Sequence, residues 1–266
     1  MSRRNAARPK FSSLLGALLL GTLFSAPLSA FDLFNGQNLD GWYSWVRGHG
    51  KNVDPNGVFS VHDGMIHVTG QDFGCLTTEK EYSNYRLTVE FKWGEKTWGS
   101  RENKAMDSGI LIHSFGPDGA FGGIWMHSVE ANVCEGGMGD FWIVGSANDG
   151  IAGTCRVSKR GASLVFDPKN GTPSTITANG AGCFRWSGSP GDWKDELHFR
   201  GPNDFDRPND WNAMTVVARG NVMTVYLNGK LVNEVYDLRQ TSGKIQLQSE
   251  GAEIFFRKVK LEPLAE

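Results

Sequence analysis

Short segments in which apolar and polar residues alternate follow one another along most of the chain, and they constrain its fold more than any other feature. In the segment 85–93, YRLTVEFKW, every second residue is apolar, which predicts a strand with one buried face. The dipeptides Asp63-Gly64 and Asn228-Gly229 lie between such segments and predict hairpin turns, because these residue types tolerate positive φ. No long stretch has a strong helical period. We therefore expect an all-β sandwich of two antiparallel sheets, of the jelly-roll kind.

The first thirty residues have the order of a secretory signal peptide. A basic start, an apolar stretch from Leu14 to Phe24 and small residues at Ser29-Ala30 predict cleavage after Ala30. An uncleaved anchor is the alternative, although the stretch is shorter than the ~20 residues of a membrane span. We expect an exported protein, periplasmic or extracellular, that does not span the membrane after cleavage and whose residues 31–266 form a single domain.

The charge of the chain limits its possible binding partners, and its cysteine content limits its possible disulfides. Without the signal peptide the chain has 23 basic and 29 acidic residues, so it gains little from phosphate contacts and nucleic acid is excluded as a partner. The four cysteines of the mature chain could form two disulfides in three connectivities, among which the sequence does not choose. They are Cys75, Cys134, Cys155 and Cys183.

The stretch from about 145 to 209 differs from the rest of the chain. It is rich in Gly, Pro, Ser and Asn and poor in alternation. Long insertions of this kind in compact β domains are more often functional than not. We therefore predict a loop-rich insertion here that contributes to a functional site.

The segment 123–145, GIWMHSVEANVCEGGMGDFWIVG, contains the best candidates for chemistry. In a strand, Glu130 and Asn132 share one face, whereas Glu135 has the opposite parity. One β-bulge near Val133-Cys134 would bring Glu135 to the same face, so that the two carboxylates could act as acid and base. A solvated strand face followed by a charged turn is the alternative interpretation.

Histidines add one weaker candidate. His113 ends the apolar segment DSGILIHS and could reach a site as a base or as a metal ligand, although a strand-end histidine is usually structural. The six histidines show no H-x-x-x-H or H-E-x-x-H spacing, so the sequence contains no local metal motif. The glycines of EGGMGDFW do not have the spacing of a phosphate-binding loop.

Five segments in the same order together resemble one family, the 3-keto-disaccharide hydrolase domain, long described as a domain of unknown function. They are FDLFNGQNLDGW, DSGILIHS, VEANVCEGGMGDFW, DWNAMTVVARGNVMTVYLNGKLV and GKIQLQSEGAEIFFRKVKL. The likeness extends over nearly all of residues 31–264 and is weakest in the insertion. It implies a concanavalin-like jelly roll that acts on glycosides already oxidised at the third ring carbon by a separate sugar 3-dehydrogenase.

Members of this family are described as lyases that form a 3-keto-2-hydroxy-glucal and as hydratases of that product. With this resemblance we predict that Glu130 and Glu135 act as base and acid and that His113 assists them. A divalent cation could polarise the keto oxygen, although no motif requires a metal and no cofactor is certain. The residues expected to contact the sugar are Asn132, Asp140, Trp142, Gln248, Glu250, Arg257 and Lys92.

Two other functions remain open at this stage. The segment EANVCE has the form E-x-N-x-x-E, close to the E-x-D-x-x-E of retaining β-1,3-1,4-glucanases on a related jelly roll, with Asn132 in place of the middle acid. A non-catalytic carbohydrate-binding module is the third hypothesis, because sandwiches support both catalysis and binding. Such a module would have exposed aromatic residues and no converging acids.

Overall fold

The computed structural model describes residues 29–146, 148–178 and 182–265, so the predicted signal segment up to residue 28 lies outside it. The described residues form strands and one 3-10 turn, Gly99–Arg101, without any α-helix. Nothing helical in this part of the chain is long and apolar enough to cross a membrane.

Nineteen strands are present in these residues. In chain order they are β1 (Phe31–Asp32), β2 (Trp42–Val46), β3 (Gly50–Lys51), β4 (Phe59–His62), β5 (Met65–Val68), β6 (Gly74–Thr78), β7 (Tyr85–Thr97), β8 (Asp107–Phe115), β9 (His127–Cys134), β10 (Phe141–Val144), β11 (Ala152–Arg160), β12 (Ser163–Phe166), β13 (Thr172–Thr177), β14 (Cys183–Phe184), β15 (Asn212–Arg219), β16 (Val222–Leu227), β17 (Lys230–Val235), β18 (Lys244–Ser249) and β19 (Ala252–Pro263).

Two large antiparallel sheets make up the fold. Sheet I has the order β17-β16-β15-β7-β19-β5-β4, with β1 paired to β19. Sheet II has the order β14-β10-β9-β8-β18-β6-β2-β3. Neighbouring strands are often distant in sequence, as in a jelly roll, and the predicted fold class is confirmed.

The hydrophobic core lies between the two sheets. Leu87 and Val89 of sheet I and Ile110, Val129 and Leu247 of sheet II belong to one buried cluster and are almost completely inaccessible to solvent. Burying each such side chain stabilises the fold by about 1.5–3 kcal/mol. Because strand residues alternate in direction, the neighbours of these core residues in sheet II point to the opposite face, where a ligand can reach them.

Both predicted hairpin turns are confirmed. Asp63-Gly64 joins β4 to β5 and Asn228-Gly229 joins β16 to β17, and all four residues have positive φ, between 48° and 80°. Positive φ at both central residues is the requirement of a type I′ turn.

The insertion is more regular than the sequence indicated. Strands β12-β11-β13 form a third, small antiparallel sheet, and β14 pairs with β10 at the edge of sheet II. The sequence did not reveal β13, TPSTIT, because this strand is largely exposed and so needs no alternation of apolar residues. The longest strand-free part of the described insertion extends from Trp186 to Trp211. Cys155, Phe166 and Trp186 join the main core cluster.

The prediction of a β-bulge near Val133-Cys134 is wrong. The register between β8 and β9 is interrupted instead on β8, between Ile112 and Phe115. His113 lies at this irregularity with φ of 54°. The extra residue is therefore accommodated in the neighbouring strand, and β9 keeps its alternation up to Cys134.

Candidate active site

A cavity of about 570 Å³ opens on the face of sheet II that points away from the core. Its size lies in the range of sites that bind small molecules. The strands β8, β9, β10 and β18 contribute most of its walls, and the loop between β8 and β9 adds Phe121 and Trp125. The residues that line it are Asp107, Phe121, Trp125, Glu130, Asn132, Trp142, Ile143, Val144, Gly145, Ala178, Gln248 and Glu250.

Three acidic side chains line this cavity. Asp107 begins β8, Glu130 lies in β9 and Glu250 follows β18. Burial raises the pKa of Glu130 well above its usual range, and the neighbouring carboxyl of Asp107 raises it further. Burial likewise raises the pKa of Glu250, with Asp107 and Glu130 adding to the effect. The carboxyls of Glu130 and Glu250 therefore keep their protons to higher pH than exposed carboxyls do, which suits them to donate a proton or a hydrogen bond.

Asp107 differs from the other two acids because a cation lies beside it. Arg101 Nη2 lies 3.8 Å from Asp107 Oδ2. Burial raises the pKa of Asp107 to about 7, whereas Arg101 acts in the opposite direction. Of the three acids, Asp107 has the nearest stabilising charge for its ionised form.

Gly109 forms the floor beneath the catalytic candidates. A Cβ atom at this position would collide with Glu130 Oε1 and Gln248 Oε1 and would lie 2.8 Å from Glu130 Cδ. The glycine is therefore required by the close approach of these two side chains rather than by backbone conformation. The carboxamide oxygens of Gln248 and Asn132 are buried and have no hydrogen-bond partner among the described residues. Groups of this kind can bind the hydroxyls of a sugar.

Apolar side chains from a loop and from β10 complete the lining. Phe121 and Trp125 come from the loop between β8 and β9, and Trp142 and Val144 come from β10. The rings of Phe121 and Trp125 are nearly parallel, with centroids 6.4 Å apart. The loop is attached to sheet II by hydrogen bonds from Trp125 Nε1 to the Gly74 carbonyl, 3.2 Å, and from the Met126 amide to Gln246 Oε1, 3.2 Å.

Five of the residues predicted from the sequence meet in this cavity. They are Glu130, Asn132, Trp142, Gln248 and Glu250. Trp142 pairs directly with Glu130 across β10 and β9. Their chemical roles remain predictions, but their common location agrees with a shared site.

Glu135 does not join them, which corrects the prediction of a Glu130–Glu135 pair. Its Oε2 accepts hydrogen bonds from the Met106 amide, 3.0 Å, and the His198 amide, 2.8 Å. Its backbone carbonyl accepts a third from Trp193 Nε1, 2.8 Å. The bulge that would have turned Glu135 into the cavity is absent from β9, so this side chain instead connects the start of β8 to the strand-free part of the insertion.

We expect Glu135→Gln to affect stability more than chemistry. The carboxamide keeps one acceptor oxygen but loses the charge, and hydrogen bonds to charged groups contribute about 1.5–3 kcal/mol. The free energy of unfolding should fall by about that amount, measured by urea titration, while turnover of the substrate stays within about tenfold of wild type. A loss of turnover as large as that of a Glu130 variant would contradict the structural role.

His113 and Asp140 also lie outside the cavity lining. His113 is fully buried with its ring 6.1 Å from that of Tyr85 in the core, and burial lowers its pKa to about 4. The irregularity in β8 turns it away from the site. Asp140 is fully buried too, and its two oxygens accept hydrogen bonds from Arg185 Nη1, 2.6 Å, and from the Trp186 amide, 2.7 Å. Asp140 therefore supports the insertion and has no free oxygen for a sugar.

Arg257 and Lys92, which the sequence interpretation also expected to contact the sugar, belong to the other sheet and do not line this cavity. Arg257 pairs with Glu90 at 2.7 Å, and its guanidinium lies 4.3 Å from the ring centre of Trp211. Lys92 Nζ lies 5.5 Å from the same ring. Both residues come from strands of sheet I, and the hydrophobic core separates that sheet from the cavity.

The structure shows the state of the four cysteines and whether side chains are grouped to bind a metal ion. All four cysteines are free thiols in this structure, and no disulfide joins any two of them. Burial raises the pKa of Cys75 to about 12, which makes its thiol unreactive. Across residues 29–146, 148–178 and 182–265, no three His, Cys, Asp or Glu side chains are grouped as they would be to hold a metal ion.

The sequence interpretation missed Asp107, Gly109, Phe121 and Trp125. Asp107 and Gly109 have the same parity in β8, and they face Cys134 and Asn132 of β9 across the sheet. The segment DSGILIHS shows that Asp107 and Gly109 share a face of their strand, but it does not show that this strand pairs with β9. The two aromatic residues belong to a loop, where no periodicity marks them.

Comparison with solved structures supports the fold. A candidate glycosyl hydrolase from Parabacteroides distasonis ATCC 8503 has a TM-score of 0.52 and 17% sequence identity, over 89% of this chain and 94% of that one. A second candidate glycosyl hydrolase from the same organism has a TM-score of 0.51 and 19% identity, over 89% of this chain and 100% of that one. Identities this low show a shared fold and nothing more.

Sequence comparison identifies the family. No curated protein matches the chain. The sequence model of the 3-keto-α-glucoside-1,2-lyase-like domain matches residues 29–262, which is most of the chain, and the match supports a carbohydrate-active function. The chain belongs to the family of 3-keto-α-glucoside-1,2-lyase-like domains, as its five sequence segments predicted.

Proposed function

We propose that this protein is an enzyme that cleaves glycosides carrying a ketone at the third carbon of the sugar ring, by eliminating the group on the first carbon. The observation that carries the proposal is the set of three carboxyls, Asp107, Glu130 and Glu250, on the wall of one cavity in a domain of this family. A substrate of this kind must be supplied by a reaction that oxidises the third carbon, such as that of a sugar 3-dehydrogenase.

The chemistry needs one base and one acid. The ketone acidifies the proton on the second carbon, and a base removes it to give an enolate. The enolate then re-forms the ketone, a double bond forms between the first and second carbons, and the bond to the glycosidic oxygen breaks. An acid protonates the departing oxygen. Addition of water across the double bond, with hydroxyl to the first carbon, completes a net hydrolysis.

We assign the base to Asp107 and the acid to Glu130. Asp107 lies beside Arg101, which favours its ionised form, whereas Glu130 has no such cation and keeps its proton to a higher pH. Glu130 also pairs with Trp142 across β9 and β10, so the proposed acid lies beside an aromatic ring on which a sugar ring can stack. Glu250 is left to bind a hydroxyl.

The enolate oxygen needs hydrogen-bond donors. The carboxamides of Asn132 and Gln248 line the same part of the cavity and can donate N–H groups to it. The predicted divalent cation finds no matching donor group among the described residues, so we derive no step through a metal. Water is limited by the covering loop, which carries Trp125 over the cavity.

The proposal predicts a pH profile for kcat/KM. Asp107 must be ionised to act as base and has a pKa of about 7, so kcat/KM should rise with pH and approach its plateau above that value. Because Glu130 must be protonated and its pKa is raised well above the usual range, the rate should fall again only at higher pH. Initial rates between pH 5 and 10 check this, and a rising limb near pH 4 would contradict the assignment of Asp107.

The two alternative functions have less support. A retaining glucanase needs the outer two acids of EANVCE at one sugar ring, but Glu135 is bonded to backbone amides away from the cavity. A non-catalytic binding module has no need of three carboxyls on one cavity wall, one of them the buried Glu130, because buried carboxyls are costly to desolvate. A lyase or hydratase uses all three.

Three substrate classes separate these functions. We would incubate the mature protein with 3-keto-trehalose, unoxidised trehalose and mixed-linkage glucan, each with and without chelator. Turnover of the keto sugar alone, with exchange of deuterium from solvent at the second carbon, is the expected result. Cleavage of plain glucan would replace the proposal with a glucanase, and binding without turnover of any of the three would indicate a binding module.

A further inference from the structure

We propose that Asp195 is a positioning residue for the active site: it binds the Arg101 guanidinium and holds this cation near Asp107 while keeping it from pairing with Asp107 directly. This inference rests on the proposed function, because Asp107 is the base assigned there. Asp195 lies in the strand-free part of the insertion, between Trp186 and Trp211, and does not itself line the cavity. The inference therefore gives the insertion a role in the chemistry that acts through Arg101.

The contacts of the Arg101 guanidinium favour Asp195 over Asp107 as its partner. Arg101 Nη1 donates a hydrogen bond to Asp195 Oδ2 at 3.2 Å, and Arg101 Nη2 lies 2.9 Å from Asp195 Oδ1. By contrast, Arg101 Nη2 lies 3.8 Å from Asp107 Oδ2, which is beyond hydrogen-bond distance. Both Nη atoms therefore face the Asp195 carboxylate, as in a bidentate pair. Asp107 is near the positive charge, but Arg101 forms no hydrogen bond to its oxygens.

The rest of the Arg101 side chain is fixed by its surroundings. Arg101 ends the 3-10 turn Gly99–Arg101, and its Nη2 also donates to the carbonyl of Ala105. The aliphatic stem packs against the backbone of Gly251, where a Cβ atom would lie 2.6 Å from Arg101 Cγ. The side chain is 14% exposed. Because the stem has little room to move, the partner of the guanidinium decides how close its charge comes to Asp107.

Arg101 and Asp195 have opposite effects on the proposed base. Arg101 lowers the pKa of Asp107, whereas Asp195 raises it, because a second carboxylate beside the guanidinium offsets part of its positive charge. Lys104 also contacts Asp195, at 3.6 Å, but it is 47% exposed, so solvent and salt screen its charge. The other titratable groups near Asp107 come from β9, from the residue before β10 and from the end of β18, and they are Glu130, Cys134, Asp140 and Glu250.

This arrangement keeps Asp107 both ionisable and available to the substrate. A direct ion pair with Arg101 would make Asp107 a weaker base and would occupy an oxygen that must accept the proton from the second sugar carbon. Without any cation beside it, burial would keep Asp107 protonated to higher pH. Asp195 holds the cation at a distance between these two cases.

The pH dependence of kcat/KM for 3-keto-trehalose tests the two residues in opposite directions. Asp195→Asn should move the rising limb to lower pH by about half a unit or more, because the guanidinium charge is no longer offset. Arg101→Gln should move it to higher pH by about one unit or more, because Asp107 loses its neighbouring cation. A merely structural defect would lower the rate without moving the midpoint. An unchanged midpoint in Asp195→Asn, or one at higher pH, would overturn the proposal.

A control and a double variant show whether Asp195 acts through Arg101. Glu196→Gln removes a charge of the same sign from the next residue, which is exposed and forms no ion pair among the described residues, so its midpoint should equal that of wild type. Asp195→Asn should cause a smaller shift in the Arg101→Gln background than in wild type, because the cation that it positions is gone. Equal shifts in both backgrounds would mean that Asp195 acts on Asp107 by its own charge, which contradicts a positioning role.

Direct titration of Asp107 keeps this inference separate from the proposed function. Carbon NMR of protein labelled at the aspartate carboxyl carbons follows each carboxyl without substrate, and the signal missing from Asp107→Asn identifies that of Asp107. The same opposite shifts of its midpoint in Asp195→Asn and Arg101→Gln support the positioning role, even if no 3-keto-glycoside is turned over and the proposed function fails. A midpoint that Asp195→Asn leaves unchanged overturns the inference, whatever the enzyme catalyses.

Discussion

Glu130→Gln is expected to lower turnover of a 3-keto-glycoside with a sugar or alkyl leaving group by about 10²–10⁴-fold, the usual contribution of a general acid. The carboxamide occupies nearly the same volume but cannot release a proton to the glycosidic oxygen. Because burial raises the pKa of Glu130 and so favours its neutral form, a neutral carboxamide in its place should not destabilise the fold. Steady-state rates and thermal unfolding of the variant measure the two effects.

The leaving group distinguishes an acid from a base at this position. A 4-nitrophenyl 3-keto-glucoside needs little protonation, so the deficit of Glu130→Gln should shrink to about tenfold or less with this substrate. Asp107→Asn should remain severely impaired with both substrates, because removal of the proton on the second carbon does not depend on the leaving group. If Glu130→Gln is equally impaired with both, Glu130 is the base and the assignment is reversed.

Gly109→Ala is expected to lower kcat/KM by about 100-fold or more while the protein still folds. The new Cβ would collide with the side-chain oxygens of Glu130 and Gln248, which must move away from their positions over the floor of the cavity. Displacements of about 1 Å at a catalytic group can cost about 10²-fold in rate. The atoms that clash are the ends of side chains rather than backbone, so the sheet itself can persist.

Gly94→Ala is a matched control for this substitution. A Cβ at Gly94, in β7 of sheet I, would meet the carboxylate end of Glu253 in the same way, but the cavity is on the other sheet. We expect a similar change in melting temperature for the two variants and normal turnover for Gly94→Ala. Loss of activity in both variants alike would mean that Gly109 acts through general stability and not through Glu130 and Gln248.

The fold was largely predictable because it depends on local patterns. The alternation in β7 identified a strand with one buried face, and the Asn228-Gly229 and Asp63-Gly64 turns identified hairpins. The small sheet of the insertion escaped notice because β13 is exposed, and exposed strands do not need apolar residues at every second position.

The site was only partly predictable because it depends on which strands are neighbours. Glu130 and Asn132 could be assigned to one face by parity alone, since they belong to the same strand. Asp107 could not be joined to them, because its strand meets β9 only in the folded sheet. Glu135 was misplaced because the expected bulge is in β8, where it moves His113 and leaves β9 regular.

The amino-acid sequence by itself determined the all-β class, the turns, the family and the parity of Glu130, because each of these depends on short-range order or on several segments in series. Only the tertiary structure decided which acids share a cavity and that Gly109 must lack a side chain beneath them. It also decided that aromatic side chains line the same cavity as the acids, since Phe121 and Trp125 come from a loop and Trp142 from a strand. The physical reason is that antiparallel pairing joins residues far apart in sequence, and burial among those neighbours is what changes their acidity.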